Sequence, residues 1–321
     1  MIKKWSSRLT FFAFVVLMVG LGSNDSLRGI FSTIFQEHFS LTTTQLGLIV
    51  TASYIGNLVF LLVGGNLSTR FSKKRVLQVL ILIWMAALAL FAFTSNYTVL
   101  LIGMALALGS STLLNTTMNL ITPLLFATAP GFFVNFLFFT QEIGTSGSQY
   151  ILGSHADGFA FWQHTNLVLL ILGAVAFVLL LFCNVPEEAA APADAPAQKG
   201  GYDWRIIVPY VLVFGFYFIA EHGVMNWMVA YGVDGLGLPQ ASAAKYLSVF
   251  FGGMMIGRLC LSPLVDKLGA LKSLAAFGGV SCVLYLIGSL GGAVTMPVWA
   301  ISGLSFSILY PTLVMSIRLY F

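Results

Sequence analysis

Charge is the scarcest property of this 321-residue chain. Only 8% of its residues are Asp, Glu, Lys or Arg, against about 25% in soluble domains. With 58% hydrophobic residues and a mean hydropathy of +0.93, the shortage excludes a soluble globular fold and leaves an integral membrane protein. Cysteine is nearly as scarce. Cys183, Cys260 and Cys282 lie in or beside apolar segments without CxxC or metal spacing, so neither a disulfide framework nor a thiolate metal site is expected. The chain has no G-x-S-x-G elbow, no phosphate loop and no His/Cys/Asp metal set. His38, His155, His164 and His222 are scattered. No enzyme, cofactor or metal is expected. The formal charge of +4 is a matter of loop topology and implies no nucleic-acid partner.

What the sequence has is long apolar runs. Ten spans are read at roughly 9–35, 44–68, 76–94, 98–124, 131–153, 165–184, 206–231, 241–264, 272–291 and 294–318. Runs of this length cross a bilayer as helices, and no β-barrel alternation is present. The start, Lys3-Lys4 followed by an apolar stretch, imitates a signal peptide. Apolar character resumes past Arg28, however, so a first transmembrane helix is the better reading. Lys3, Lys4, Arg8, Arg70, Lys73, Lys74, Arg75, Lys199, Arg205, Lys267, Lys272 and Arg318 all fall on one side of these spans, and the opposite loops hold no Lys or Arg. The N-terminus is therefore expected in the cytoplasm. A Pro/Ala/Gly-rich stretch at 185–204 reads as a cytoplasmic linker. It divides the chain into residues 1–184, a six-helix bundle, and 205–321, helices 7–10.

The run 208–231 contains the string Tyr217-Phe-Ile-Ala-Glu221-His-Gly223-Val-Met-Asn226-Trp227-Met-Val-Ala-Tyr231. A carboxylate at bilayer depth is costly and faces a watery cavity or a partner. Glu221 is thus a solute ligand, a proton carrier or a packing residue. Helix 4 carries Thr112, Asn115, Asn119 and Thr122 as one polar stripe. Helix 5 carries Gln141, Glu142, Thr145, Ser148 and Gln149 in the same way. Such stripes line a cavity or act as interhelical hydrogen-bond glue. Arg28 lies one turn beyond Asp25 on the same face, so Asp25 is either a proton carrier or half of a static pair. Glu142, with no cation nearby in sequence, is an equal candidate.

An offset of 197 residues pairs Phe39-Ser-Leu41 with Leu236-Gly-Leu238, Gly56 with Gly253, Arg70 with Lys267 and Leu77 with Leu274. Parallel repeats about a linker build one large class of transporters. The helix 2–3 loop, Gly65-Asn-Leu67-Ser-Thr69-Arg70-Phe-Ser72-Lys73-Lys74-Arg75, resembles the G-x-L-a-D-r-x-G-r-k-r loop of the major facilitator superfamily. Thr69 and Ser72 stand where Asp and Gly are usual. The second-half loop, Ser262-Pro-Leu-Val-Asp266-Lys267-Leu-Gly269, keeps both. Asn24-Asp25-Ser26-Leu27, the helix 7 string and Leu113-Leu114-Asn115-Thr-Thr-Met-Asn119 are similar to segments of the fucose/glucose:proton symporter branch, with Asn115 in place of that branch's Glu.

The resemblance implies an all-α, two-bundle membrane fold of twelve helices, of which ten, six plus four, are read before Phe321. It implies a multi-pass, monomeric secondary transporter of the cell (plasma or inner) membrane. By alternating access and proton coupling it would move a small polar solute, a sugar foremost, across the lipid bilayer. Glu221, Asn226, Trp227, Tyr217, Asn115, Asn119, Gln141 and Asn24 are expected to bind solute, and Asp25 and Glu142 to couple protons. Arg70, Arg75, Asp266, Lys267 and Arg258 are expected in gating loops. The amide and hydroxyl lining suits a polyhydroxylated solute. A drug or metabolite exporter of the same superfamily, a truncated non-functional transporter and a membrane sensor remain alternatives.

Overall fold

The computed structural model describes residues 2–126, 130–186 and 204–317. These are almost entirely helical, and no strand occurs among the described residues. The chain divides into two compact units, Met1–Glu188 and Ala189–Phe321. Most of the 185–204 linker, with Lys199, and also Arg318 lie outside the described residues.

The first unit contains α1 (Ile2–Ile30), the short α2 (Ser32–His38), α3 (Thr43–Arg70), α4 (Lys73–Phe93), α5 (Tyr97–Leu125), α6 (Pro130–Ile151) and α7 (Phe159–Phe182). In it α1 packs along α6 and α7, α3 along α5, and α4 between α5 and α7. Small residues set the α1–α6 crossing. A Cβ on Gly22 would collide with the Gln141 carbonyl, and one on Gly144 with the Val19 carbonyl. At that approach Ser23 Oγ donates to the Gly144 carbonyl (3.3 Å), and Thr145 Oγ1 donates to the Gly22 carbonyl (3.2 Å). Close backbone approach with such bonds is how helices adhere where lipid removes the hydrophobic drive.

Polar side chains finish helix ends in this unit, Ser72 and Lys74 among them. Ser72 accepts from the Arg75 N–H to cap α4. Lys74 Nζ donates to the carbonyls of Leu181 (3.0 Å) and Cys183 (2.7 Å), satisfying the C-terminal end of α7.

The second unit contains α8 (Trp204–Ala230), prolonged by a π-helical turn at Tyr231–Gly235, then α9 (Gln240–Leu268), α10 (Ala270–Leu290), α11 (Met296–Phe306) and α12 (Leu309–Ile317). Its core gathers Val224, Met228, Leu247, Phe250, Met254 and Phe306.

Nine helices among the described residues are long and apolar enough to cross a membrane. α6, which carries the polar run with Gln141, Glu142 and Gln149, is not one of the nine. Two expected spans are interrupted. The span 9–35 ends as α1 and restarts as α2, with Phe31 off helical values (φ −97°, ψ 8°) and Ser32 Oγ bonded to the Gly29 carbonyl. The span 294–318 breaks at Ser307–Ile308 between α11 and α12. Pro311 has no N–H to offer the Ser307 carbonyl four residues back.

The 197-residue offset reappears in the helix bounds. Thr43 and Gln240 begin α3 and α9, Lys73 and Ala270 begin α4 and α10, and Phe93 and Leu290 end them. Gly56 lies against the Ala105 backbone and Gly253 against the Leu304 backbone, the same kind of contact in each unit.

Candidate functional site

Each unit carries its own polar cluster. In the first, Asp25 of α1 stands 4.0 Å from Arg28, with side-chain exposures of 15% and 3%. Ser111 Oγ of α5 lies 3.3 Å from both Asp25 carboxylate oxygens, to which it donates. One turn further along α5, Asn115 Nδ2 donates to Gln141 Oε1 of α6 at 2.6 Å. Asn119 Nδ2 donates to Asn115 Oδ1, also at 2.6 Å. The i,i+4 spacing on α5 aligns the two asparagines, and the Gly22–Gly144 crossing ties α6, which carries Gln141, to α1. The ladder ends on Asn119 Oδ1, a buried acceptor with no protein partner. Glu142 is half-buried on α6, beside Gln141.

Asn24 does not join this ladder. It is buried, and its Oδ1 accepts from Trp84 Nε1 of α4 at 3.1 Å. That bond makes it interhelical glue rather than an open solute ligand. Ser111 and Trp84 were not singled out in the sequence. Ser111 sits four residues before Asn115 on the polar stripe, so following the stripe one turn back reaches it.

The string on α8 does not line one surface. Around the helix Glu221 lies more than about 100° from Gly223 and Trp227, with Tyr217 and Tyr231 between them. Trp227 and Tyr231, with Gly223, Tyr285, Ser289 and Trp299, line a cavity of about 330 Å³. In it the Tyr231 hydroxyl donates to the Ser289 carbonyl (2.9 Å).

Glu221 is not among the residues lining that cavity. Its carboxylate is 4.0 Å from His222 Nδ1 and within electrostatic reach of Tyr217, one turn back on the same helix, and of Arg258 on α9. Tyr217 is expected from sequence to stack on solute. Instead it is buried, with Phe306 (5.0 Å) and Tyr310 (5.8 Å) stacked on it. Its ring therefore packs into the core of the second unit. Asn226 is likewise buried, and its amide donates to the His222 carbonyl of its own helix (2.7 Å). It is not an open ligand either.

Arg258, expected in a gating loop, lies within α9, in electrostatic reach of Glu221. Of the other gating candidates, Arg75 and Lys267 are exposed, while the side chains of Arg70 and Asp266 lie outside the described residues. Two further contributions were missed in the sequence, the Lys74 cap of α7 and Tyr310. Tyr310 follows the helix break that Pro311 could have signalled.

The profile of the Major Facilitator Superfamily matches residues 10–321. The chain belongs to the major facilitator superfamily. As such it is an all-α, multi-pass membrane transporter, and its relatives are transporters rather than enzymes. It is 24% identical to the L-fucose-proton symporter of Escherichia coli K12, over 90% of this chain and 75% of that protein. It is 24% identical to the cis,cis-muconate transport protein of Acinetobacter baylyi, over 86% and 70%. To a glucose/galactose transporter of Brucella abortus it is 27% identical, over 86% and 71%. Among solved structures it is similar to the major facilitator transporter FucP in its outward conformation. That match has a TM-score of 0.67 at 20% identity, over 96% of this chain and 84% of that one. A D-xylose-proton symporter gives a TM-score of 0.64 at 15% identity, over 96% and 86%. These structural likenesses speak to the fold alone.

Proposed function

We propose that this transporter imports a small neutral polyhydroxylated solute, a sugar foremost, by alternating access coupled to protons. The observation that carries the reading is the amide ladder Asn119–Asn115–Gln141, which ends on the buried, unpartnered acceptor Asn119 Oδ1. A buried acceptor left unmet is costly, and a solute hydroxyl donates to it directly. A site that offers amide donors and acceptors favours hydroxylated molecules over those lacking hydroxyls.

Charge separates the solute classes carried by the relatives. Arg28 faces Asp25 and Arg258 lies in electrostatic reach of Glu221, so the arginine of each cluster already has a carboxylate. An anionic solute such as a muconate or hexuronate would need a cation that a carboxylate does not already hold. Neutral sugars need none.

Proton coupling rests on Asp25, with Glu142 and Glu221 as the other carboxylates of the two clusters. The N-terminus is assigned to the cytoplasm, the 185–204 linker to the cytoplasmic side, and the chain acts as a monomer. Counterflow in proteoliposomes with D-galactose, D-glucose and L-fucose against D-glucuronate and cis,cis-muconate tests the reading. Exchange of at least one neutral sugar and of neither anion is expected. Exchange of an anion alone would overturn it.

A further inference from the structure

We propose that Tyr310, just beyond the interruption of the tenth span, is a solute-contacting specificity residue of the Glu221 cluster. The proposal rests on the sugar reading given above. Three observations place Tyr310 there. Its ring stacks on Tyr217 (centroids 5.8 Å, 28°), and Tyr217 lies one turn from Glu221 on the same face of α8. Glu221 and Arg258 both lie close enough to Tyr310 to act on its hydroxyl electrostatically. Unlike Tyr217, which is 6% exposed, Tyr310 is only half-buried, so part of it remains open.

The backbone around it is unusual for a membrane helix. α11 ends at Phe306 and α12 begins at Leu309, and Pro311 has no N–H for the Ser307 carbonyl. Irregular backbone at membrane depth persists where protein or a water-lined cavity receives it, and discontinuous helices are how transporters build binding sites. Phe306 and Tyr310 stack on Tyr217 from either side of this break, Phe306 at 5.0 Å. The interruption is thereby fixed to the helix that carries Glu221.

The chemistry suits a sugar ring. Glu221 is an acceptor, Arg258 a donor, and the Tyr310 hydroxyl serves as either, a set that reads adjacent hydroxyl groups.

The test uses the full-length chain purified in detergent and titrated with D-galactose, D-glucose and L-fucose, with sugar-induced thermal stabilisation giving apparent Kd values. Tyr310→Phe keeps the ring and removes the hydroxyl. It should weaken binding of the preferred sugar roughly three- to tenfold. Its affinity for the deoxy analogue lacking the hydroxyl that Tyr310 reads should be unchanged, which flattens the preference between the two. Tyr310→Leu should weaken both. Wild-type binding with the same Kd values and the same preference in Tyr310→Phe would overturn this inference alone. If wild type binds none of the three sugars, the sugar reading falls and takes this inference with it.

Discussion

Ser40 and Gly237, 197 residues apart, share a left-handed backbone conformation, with φ of +50° and +68°. Each follows the helical segment of its repeat's first span, and each N–H closes onto a carbonyl of that segment, Glu37 for Ser40 (3.2 Å) and Val233 for Gly237 (3.1 Å). The repeat thus reaches the dihedral angles of the turn. Glycine tolerates this region and a side chain is strained there, by roughly 1–2 kcal/mol. Gly237→Val should therefore lower stability by about that much, while Ser40→Gly should not destabilise the protein. Thermal unfolding in detergent measures both, and equal losses at the two positions would refute the shared turn.

Gly144 and Gly147 of α6 make a controlled pair. A Cβ at Gly144 meets the Val19 backbone, whereas one at Gly147 meets nothing within 4 Å. Gly144→Ala should cost about 1–3 kcal/mol by overpacking the α1–α6 crossing, and Gly147→Ala close to nothing. Comparing the melting temperatures of the two variants decides it. A silent Gly144→Ala would mean that α1 and α6 do not cross as described.

The assigned topology is open to labelling. In a background lacking Cys183, Cys260 and Cys282, Ala193→Cys should resist an impermeant thiol reagent in intact cells and react after lysis. Labelling from outside would reverse the orientation of every span.

Much of the architecture was legible in the sequence, because lipid allows so few spanning structures. Apolar runs gave the helices to within several residues at their ends, and the 197-residue offset read from loop residues recurs between the ends of α3 and α9 and of α4 and α10. Ser72 shows how a departure from the family's pattern is absorbed. Its equivalent, Gly269, turns at φ +80°, while Ser72 keeps φ −59° and caps α4 with its side chain. The Asp25–Arg28 pair followed from spacing on one helix. The Asn115–Asn119 bond did so as well.

Pairings between helices were not legible. The Trp84 partner of Asn24 and the Arg258 partner of Glu221 depend on which helix faces which, and one amphipathic stripe does not encode that. The separation of Glu221 from Gly223 and Trp227 around α8 could have been read from its periodicity. The density of polar and aromatic residues there made it look like a single surface.

Glu221→Gln separates the roles open to that residue. If Glu221 binds solute hydroxyls, the variant should lose about ten- to a hundredfold in affinity, as expected for a charged hydrogen-bond acceptor worth about 1.5–3 kcal/mol, while proton coupling survives. If it carries the proton, binding should persist but lose its pH dependence. Equilibrium binding at several pH values reads the two outcomes separately. Unchanged binding and unchanged pH dependence would reduce Glu221 to a packing residue.

The most direct test of proton-coupled sugar transport is movement of protons with solute. Adding the sugar identified by counterflow to lightly buffered, de-energised cells expressing the transporter should alkalinise the medium transiently. The signal should vanish with a protonophore. Asp25→Asn should abolish the alkalinisation while leaving counterflow measurable. Counterflow without any proton movement in the wild type would contradict the coupling on which the account rests.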